Sequence, residues 1–422
     1  MDLGIQRYRT AREPFWALAS QLVTSGANFA TSVIIIHGAN LAIFGRYSLC
    51  FLLVMMIRKF LIGVVLTPMS SIMPTIDSGR SREYRLFLII YAAVFAIFSG
   101  LFVWTISHPL AILFSTPWLP SIAIPLFFAN SAVNYADFLR RLHLDSLRPI
   151  QSFMVDATRF TIQIGILLGL AVFQPEDLTA KAALWIWGGS ALLGCGAGLY
   201  RIGQLKFAIN AFKDFWIRHR AFVGWMSSSM LLDAIQNNLP MFIATSLVGE
   251  SALGALRALQ QFANLLNLPF NALMQVMPSM AAQRYAASGI ARMRDFLVRM
   301  TAVSVLAITL LALAIVLVSD LIINQALGLH GNDVVPIFIA FVCLNILTLV
   351  RLPFFVAFST IGKLRPLTTS NLASAFIAII GTALWVRDMG PIAVPAFMTI
   401  GHLLSMVFLL FTRDAMALRT VK

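Results

Sequence analysis

Twelve apolar stretches, each close to the length of a bilayer crossing and joined by short polar links, leave this chain few folds. Leu86–Ile106, LFLIIYAAVFAIFSGLFVWTI, has no charged residue anywhere along it. A helix that crosses the hydrocarbon layer needs about 20 such residues, because each adds about 1.5 Å of rise. The other stretches in the first half are Phe15–Ile36, Phe44–Pro68, Leu119–Leu139, Phe153–Phe173 and Ala182–Ile202. The second half has Phe222–Leu247, Leu253–Pro278, Met300–Ser319, Val334–Phe355, Leu367–Val386 and Ile392–Phe411. The seventh and eighth are the most polar, diluted by Asp233, Gln236, Asn237, Asn238, Asn264, Asn267 and Asn271. Only 11% of the chain is charged, well under the roughly 25% of a soluble domain. The expectation is an all-α integral membrane protein with about twelve transmembrane helices.

A formal charge of +14 suggests nucleic acid in a soluble chain. Here the basic residues recur in alternate connections, and no basic face interleaved with aromatics reads as a nucleic-acid surface. One set of connections holds 24 Lys and Arg and the other holds 4, namely Arg46, Lys181, Arg257 and Arg387. Arg58, Lys59 and Arg159 lie within spans and complete the 31. By the positive-inside rule the 24 face the cytoplasm, as do both ends of the twelve-span array. Cys50, Cys195 and Cys343 sit singly in apolar segments, with neither metal spacing nor a disulfide framework.

The two halves repeat. A shift of 210 residues carries Asn28 onto Asn238, Leu49 onto Leu259, Pro68 onto Pro278, Arg82 onto Arg292 and Arg141 onto Arg351. Each half has an even number of spans, so both run in the same direction, the parallel kind of transporter repeat. The basic link Gly203–Ala221 reads as the join, giving bundles of six helices at residues 1–213 and 214–422.

The residues with chemistry to offer are the polar ones at depth. Arg58 and Lys59 lie just past the middle of the second span, where charge is costly unless it faces a wet cavity or a partner. Helical neighbours stand about 100° apart, so both cannot point straight into one cavity. A guanidinium fork suits a diphosphate better than an ammonium does. Arg159, six residues into the fifth span, has Asp156 one turn before it, and an i, i+3 ion pair competes with a binding role. Asp233 has no basic neighbour on its own span; pairing with Arg58, carrying a proton or Na⁺, and contacting sugar hydroxyls all remain open. Asn28 and Asn238 occupy the paired first spans, and Asn264, Asn267 and Asn271 recur at helical spacing. Such amides can bind sugar hydroxyls or hold helices together. His402, midway along the twelfth span, reads as a hydrogen bonder between helices.

The opening FWALASQLVTSGANF, the IFGRYSL after the first outer turn and the span-two ending TPMSSIMP resemble Wzx-type polysaccharide flippases. These belong to the multidrug/oligosaccharidyl-lipid/polysaccharide exporter superfamily. The resemblance extends along the chain in span count and in its six-plus-six repeat. It implies two bundles in a V around a central basic cavity, flipping an undecaprenyl-diphosphate-linked oligosaccharide outward across the bacterial inner membrane. Membrane lipids and polysaccharide polymerase machinery are then candidate partners, with H⁺ or Na⁺ coupling as one of the drives left open and no cofactor. Arg58 or Lys59 matches the basic role; the repeat counterparts Leu268 and Pro269 are not basic, against a symmetric pair.

Two other functions compete. A drug/cation antiporter of the same superfamily is expected to carry a carboxylate in the first span, and Phe15–Ile36 has none. A membrane polymerase or glycosyltransferase is expected to have a long outer loop with clustered Arg, His or acidic residues, and every outer link here is short. No P-loop appears, so an ion gradient or consumption of the product is left to drive transport.

Overall fold

The computed structural model describes residues 12–411, apart from 74–75, 77–79, 147, 201, 204, 208, 330–333 and 362–364. Among the described residues every regular element is a helix. The contacts divide the chain into two units, Met1–Leu231 and Leu232–Lys422.

The first unit opens with α1 (Arg12–Gly38) and α2 (Leu41–Leu61), the latter capped by Asn40, whose side chain accepts from the Ile43 amide. A π-helical turn, Ile62–Leu66, carries α2 into the short α3 (Thr67–Ile72). Within it the Thr67 amide reaches back five residues to Ile62. Pro68 follows and has no amide to donate, so the carbonyl ladder is already broken at this point. Next come α4 (Ser81–Leu113), α5 (Ala123–Asp145), α6 (Pro149–Phe173) and α7 (Ala180–Tyr200). At 33 residues, α4 is about 50 Å long, longer than the roughly 30 Å hydrocarbon layer. Its exposed Ile90, Val94, Ile97, Phe98 and Leu101 form an apolar flank suited to lipid.

Sequence places the join between halves at 213/214, whereas the contacts divide inside α8 (Ile209–Val248). The cause is aromatic packing at the start of α8. Phe215 and His219 are buried against Tyr84 and Tyr91 of α4, and Phe215 also meets Phe87. These contacts tie the helix to the first unit well past the basic link.

The second unit continues through α9 (Glu250–Ala263), a 3₁₀ turn at Asn264–Leu266, and α10 (Asn267–Leu317). Gly289, with φ 77° and ψ −171°, breaks α10 into two helices and so separates the eighth span from the ninth. Beyond it Val303, Leu306, Leu310, Leu313 and Leu317 make an exposed apolar stripe at alternating spacings of three and four. The short α11 (Ser319–Leu327) precedes α12 (Val334–Thr360), α13 (Arg365–Met389) and α14 (Ala393–Phe411). The 3₁₀ turn disturbs the carbonyl ladder of the eighth span, and the Asn345 side-chain amide of α12 donates to the Ala263 carbonyl at 3.0 Å.

Among the described residues, eight stretches are long and apolar enough to cross a membrane, and one of them, Arg365–Phe411, contains both α13 and α14. The α8 and α9 regions, where sequence finds the most polar spans, are not among the eight.

The orientation is tested by single cysteines in a background lacking Cys343, the exposed native thiol. Asp177 and Ser288 are both exposed, on connections expected to face opposite sides. A cysteine at Asp177 should react with an impermeant thiol reagent in intact cells, and one at Ser288 should react only after permeabilisation. The reverse pattern inverts the topology and with it the direction of transport.

Candidate functional site

Two of the charges that sequence places inside the membrane, Arg58 and Arg159, meet in the first unit. Arg58, near the end of α2, forms an ion pair with Asp137 of α5, its Nε 2.8 Å from Oδ2. On the other carboxylate oxygen, Arg159 of α6 approaches to 3.4 Å. Asp137 is therefore held between two guanidiniums from two different helices. One turn further along α5, Arg140 lies 3.9 Å from Asp156 of α6, which also accepts a hydrogen bond from the Ser20 hydroxyl of α1. Three guanidiniums and two carboxylates thus occupy one cluster, with a net charge of +1.

Exposure differs sharply across it. Arg58 keeps 30% of its side-chain surface accessible, against 7% for Asp137 and 6% for Arg159. Arg58 is the most accessible part of the network, followed by Arg140 at 20%, while Asp137 and Arg159 form its base. A narrow cleft runs over the cluster, lined additionally by Thr24, Asn28, Phe51, Met55, Phe160 and Trp187. Its free volume of about 20 Å³ suits a single water.

The surrounding helices fix this arrangement. Trp187 of α7 is buried, with Phe51 stacked at 5.3 Å and Tyr47 edge-on at 5.9 Å, forming an aromatic wall beside Arg58. Gly194 lets α7 press on α6 at the level of Arg159. A Cβ there would stand 3.1 Å from the Val155 carbonyl and 3.2 Å from Arg159 Cβ, and small residues are how membrane helices approach so closely. The Arg159 guanidinium also lies over the Phe160 ring, 4.8 Å from its centroid. Gln163, one turn beyond, donates to Thr31 of α1 at 2.9 Å and pins α6 to α1.

One sequence expectation changes. Arg159 pairs with Asp137 rather than with Asp156. Positions three apart on a helix differ by about 60° in direction, enough to turn Asp156 toward α1 and Arg159 toward α5. Arg58 also pairs with Asp137, within its own unit; in the second unit, Asp233 lies within electrostatic reach of Arg351 and His402. There Asn237 donates to Asp233 Oδ1 at 3.1 Å. Gln236 and Arg351 meet the His402 ring at 2.9 and 3.1 Å, and Arg351 also donates to Asn371. His402 does link helices, as its position suggested.

Of the remaining residues singled out from sequence, Asn28 lines the cleft with Arg58 and Arg159. Lys59 is half-buried one position round the helix and is not among the cleft's lining residues. Asn238 donates to the Ala234 carbonyl of its own helix at 2.7 Å. Asn264 is exposed at the 3₁₀ turn, where its oxygen stands 3.4 Å from the Asn345 amide. The side chains of Asn267 and Asn271 lie outside the described residues.

Sequence reading missed Asp137 and Arg140. The available signal was a lone carboxylate inside the apolar run of the fourth span, one turn before an arginine.

The sequence matches no family model and none of the curated proteins. The fold has solved counterparts. An inward-facing multidrug resistance MATE-family transporter of the MOP superfamily matches with a TM-score of 0.75 at 12% identity, over 95% of this chain and 96% of that one. A MOP-superfamily transporter from Pyrococcus furiosus, described by a binding pocket of reverse polarity, gives 0.69 at 14% identity over 97% and 96%. The lipid II flippase MurJ, in an inward closed conformation, gives 0.65 at 12% identity over 93% and 87%. At these identities the likeness is one of fold.

Proposed function

We propose that this chain flips a polyprenyl-diphosphate-linked oligosaccharide from the cytoplasmic to the outer leaflet of the bacterial inner membrane by alternating access, for O-antigen, exopolysaccharide or capsule synthesis. The observation that carries this reading is the surplus of guanidinium charge around Arg58. A cationic cluster in a low-dielectric site attracts an anion strongly and repels a cation. The accessible Arg58 fork is suited to phosphate oxygens, and Thr24 and Asn28 beside it offer hydrogen bonds to the adjoining sugar. Two of the fold's counterparts frame the choice: MurJ is a lipid II flippase, and reverse pocket polarity suggested a different function for the Pyrococcus furiosus transporter.

The antiporter reading rests on Asp233, the carboxylate near the middle of α8. Its neighbour Arg351 supplies it with a cationic environment, which favours a fixed counter-ion over a cation carrier.

Cells lacking the chain should accumulate lipid-linked oligosaccharide on the cytoplasmic face, protected from an external glycosidase, and lose surface polymer. Intact polymer together with increased sensitivity to cationic drugs would favour the antiporter instead.

A further inference from the structure

Around the turn at Gly289, the two helical parts of α10 line a second cavity of about 880 Å³ within the second unit. Each wall is one face of a helix. Arg284 follows Met280 by four residues, and Phe296 and Arg299 follow Arg292 by four and seven, spacings that bring side chains into line.

The cavity is both basic and apolar. Arg284, Arg292 and Arg299 line it with a single carboxylate, Asp295. That carboxylate is engaged by Arg294 at 3.3 Å. Among the described residues, none of the three lining arginines forms an ion pair. Arg284 is nonetheless held in place, its guanidinium 3.8 Å from the centroid of the Phe296 ring, a cation–π contact. Met280, Phe296 and Met300 supply the apolar wall.

This pairing selects a molecule that carries phosphate and hydrocarbon together. Free phosphate satisfies the arginines but leaves the apolar wall wet. By the positive-inside count the turn faces the cytoplasm, where anionic headgroups concentrate and basic pockets between helices capture them. We propose that this cavity binds the phosphate headgroup of an anionic phospholipid of the cytoplasmic leaflet, with an acyl chain along Met280, Phe296 and Met300.

The test uses the purified full chain in detergent, titrated with phosphatidylglycerol or phosphatidylcholine of matched acyl chains, with retained lipid counted by native mass spectrometry. Three basic contacts predict at least about a tenfold preference for phosphatidylglycerol. Arg284→Gln, Arg292→Gln and Arg299→Gln together should abolish the preference while the melting temperature in phosphatidylcholine stays unchanged. Arg292→Gln alone, at an exposed position, should reduce it and covers the case in which the triple variant fails to fold. Millimolar inorganic phosphate should leave phosphatidylglycerol bound. Equal retention of the two lipids, an undiminished preference in Arg292→Gln, or displacement by inorganic phosphate overturns the proposal. None of these outcomes depends on whether the chain flips oligosaccharides.

Discussion

Arg58→Ala should lower polymer export by roughly 10- to 100-fold, the loss of one charge-assisted hydrogen bond of about 1.5–3 kcal/mol. The variant should still reach the membrane in near-normal amounts, because Arg159 continues to neutralise Asp137 from 3.4 Å. Removing Arg58 takes the cluster from +1 to neutral and removes its accessible fork. Arg58→Lys restores the charge without the fork and should recover export in part. The readout is surface polymer per molecule of membrane-inserted protein. Normal export by a well-inserted alanine variant would remove Arg58 from the mechanism.

The larger effect on stability belongs to Asp137. Its carboxylate sits between Arg58 and Arg159 and is almost wholly enclosed. Asp137→Ala leaves those two guanidiniums facing each other with no anion between them. Breaking a buried pair by removing one partner costs about 3–5 kcal/mol. The protein should therefore accumulate poorly and melt at a lower temperature in detergent. Asp137→Asn combined with Arg159→Gln should be milder than the sum of the two single changes, since residues in one network couple. Strict additivity in melting temperature would show that the two side chains do not support one another.

Both predictions centre on contacts only partly legible in the sequence. Arg58 stood out because a charge in the middle of an apolar run has few explanations. Asp137 did not, because Arg140 and Arg141 follow it and made the region look like the cytoplasmic end of a span. The structure shows α5 continuing to Asp145, so Asp137 lies two turns inside the helix. Its partners Arg58 and Arg159 come from other helices, and no local spacing reveals such a pairing. The nearby pair Asp156 and Arg159 even pointed the wrong way, since a favourable i, i+3 geometry gave way to partners on α1 and α5.

The order of the helices was legible because the alternation of apolar runs and basic links is strong, although α8 starts at Ile209 rather than Phe222 and the short α11, beyond its first residue, lay outside every predicted span. What escaped was how the backbone departs from regularity. The π-helical turn before Pro68 and the 3₁₀ turn at Asn264 both interrupt second helices of their halves, at positions that differ under the 210-residue shift. The repeat therefore relates the halves in span order more closely than in local backbone. Polar partners differ too: Arg141 pairs with Asp145 at 3.1 Å, whereas its counterpart Arg351 meets His402 and Asn371. Asymmetry of this kind gives the first unit its surplus of guanidinium charge and sets Asp233 beside Arg351 in the second.

The central claim is that the cluster around Arg58 serves an anionic lipid-linked cargo. The most direct test reconstitutes the purified chain in liposomes with a fluorescent polyprenyl-diphosphate oligosaccharide and follows its loss from the outer leaflet by quenching with an impermeant reductant. Wild type should move the lipid between leaflets well above the rate of protein-free liposomes, and Arg58→Ala, reconstituted at equal density, should fall back to that background. Equal rates in wild type and Arg58→Ala, or no movement of the lipid alongside exchange of a cationic dye for protons, would contradict it.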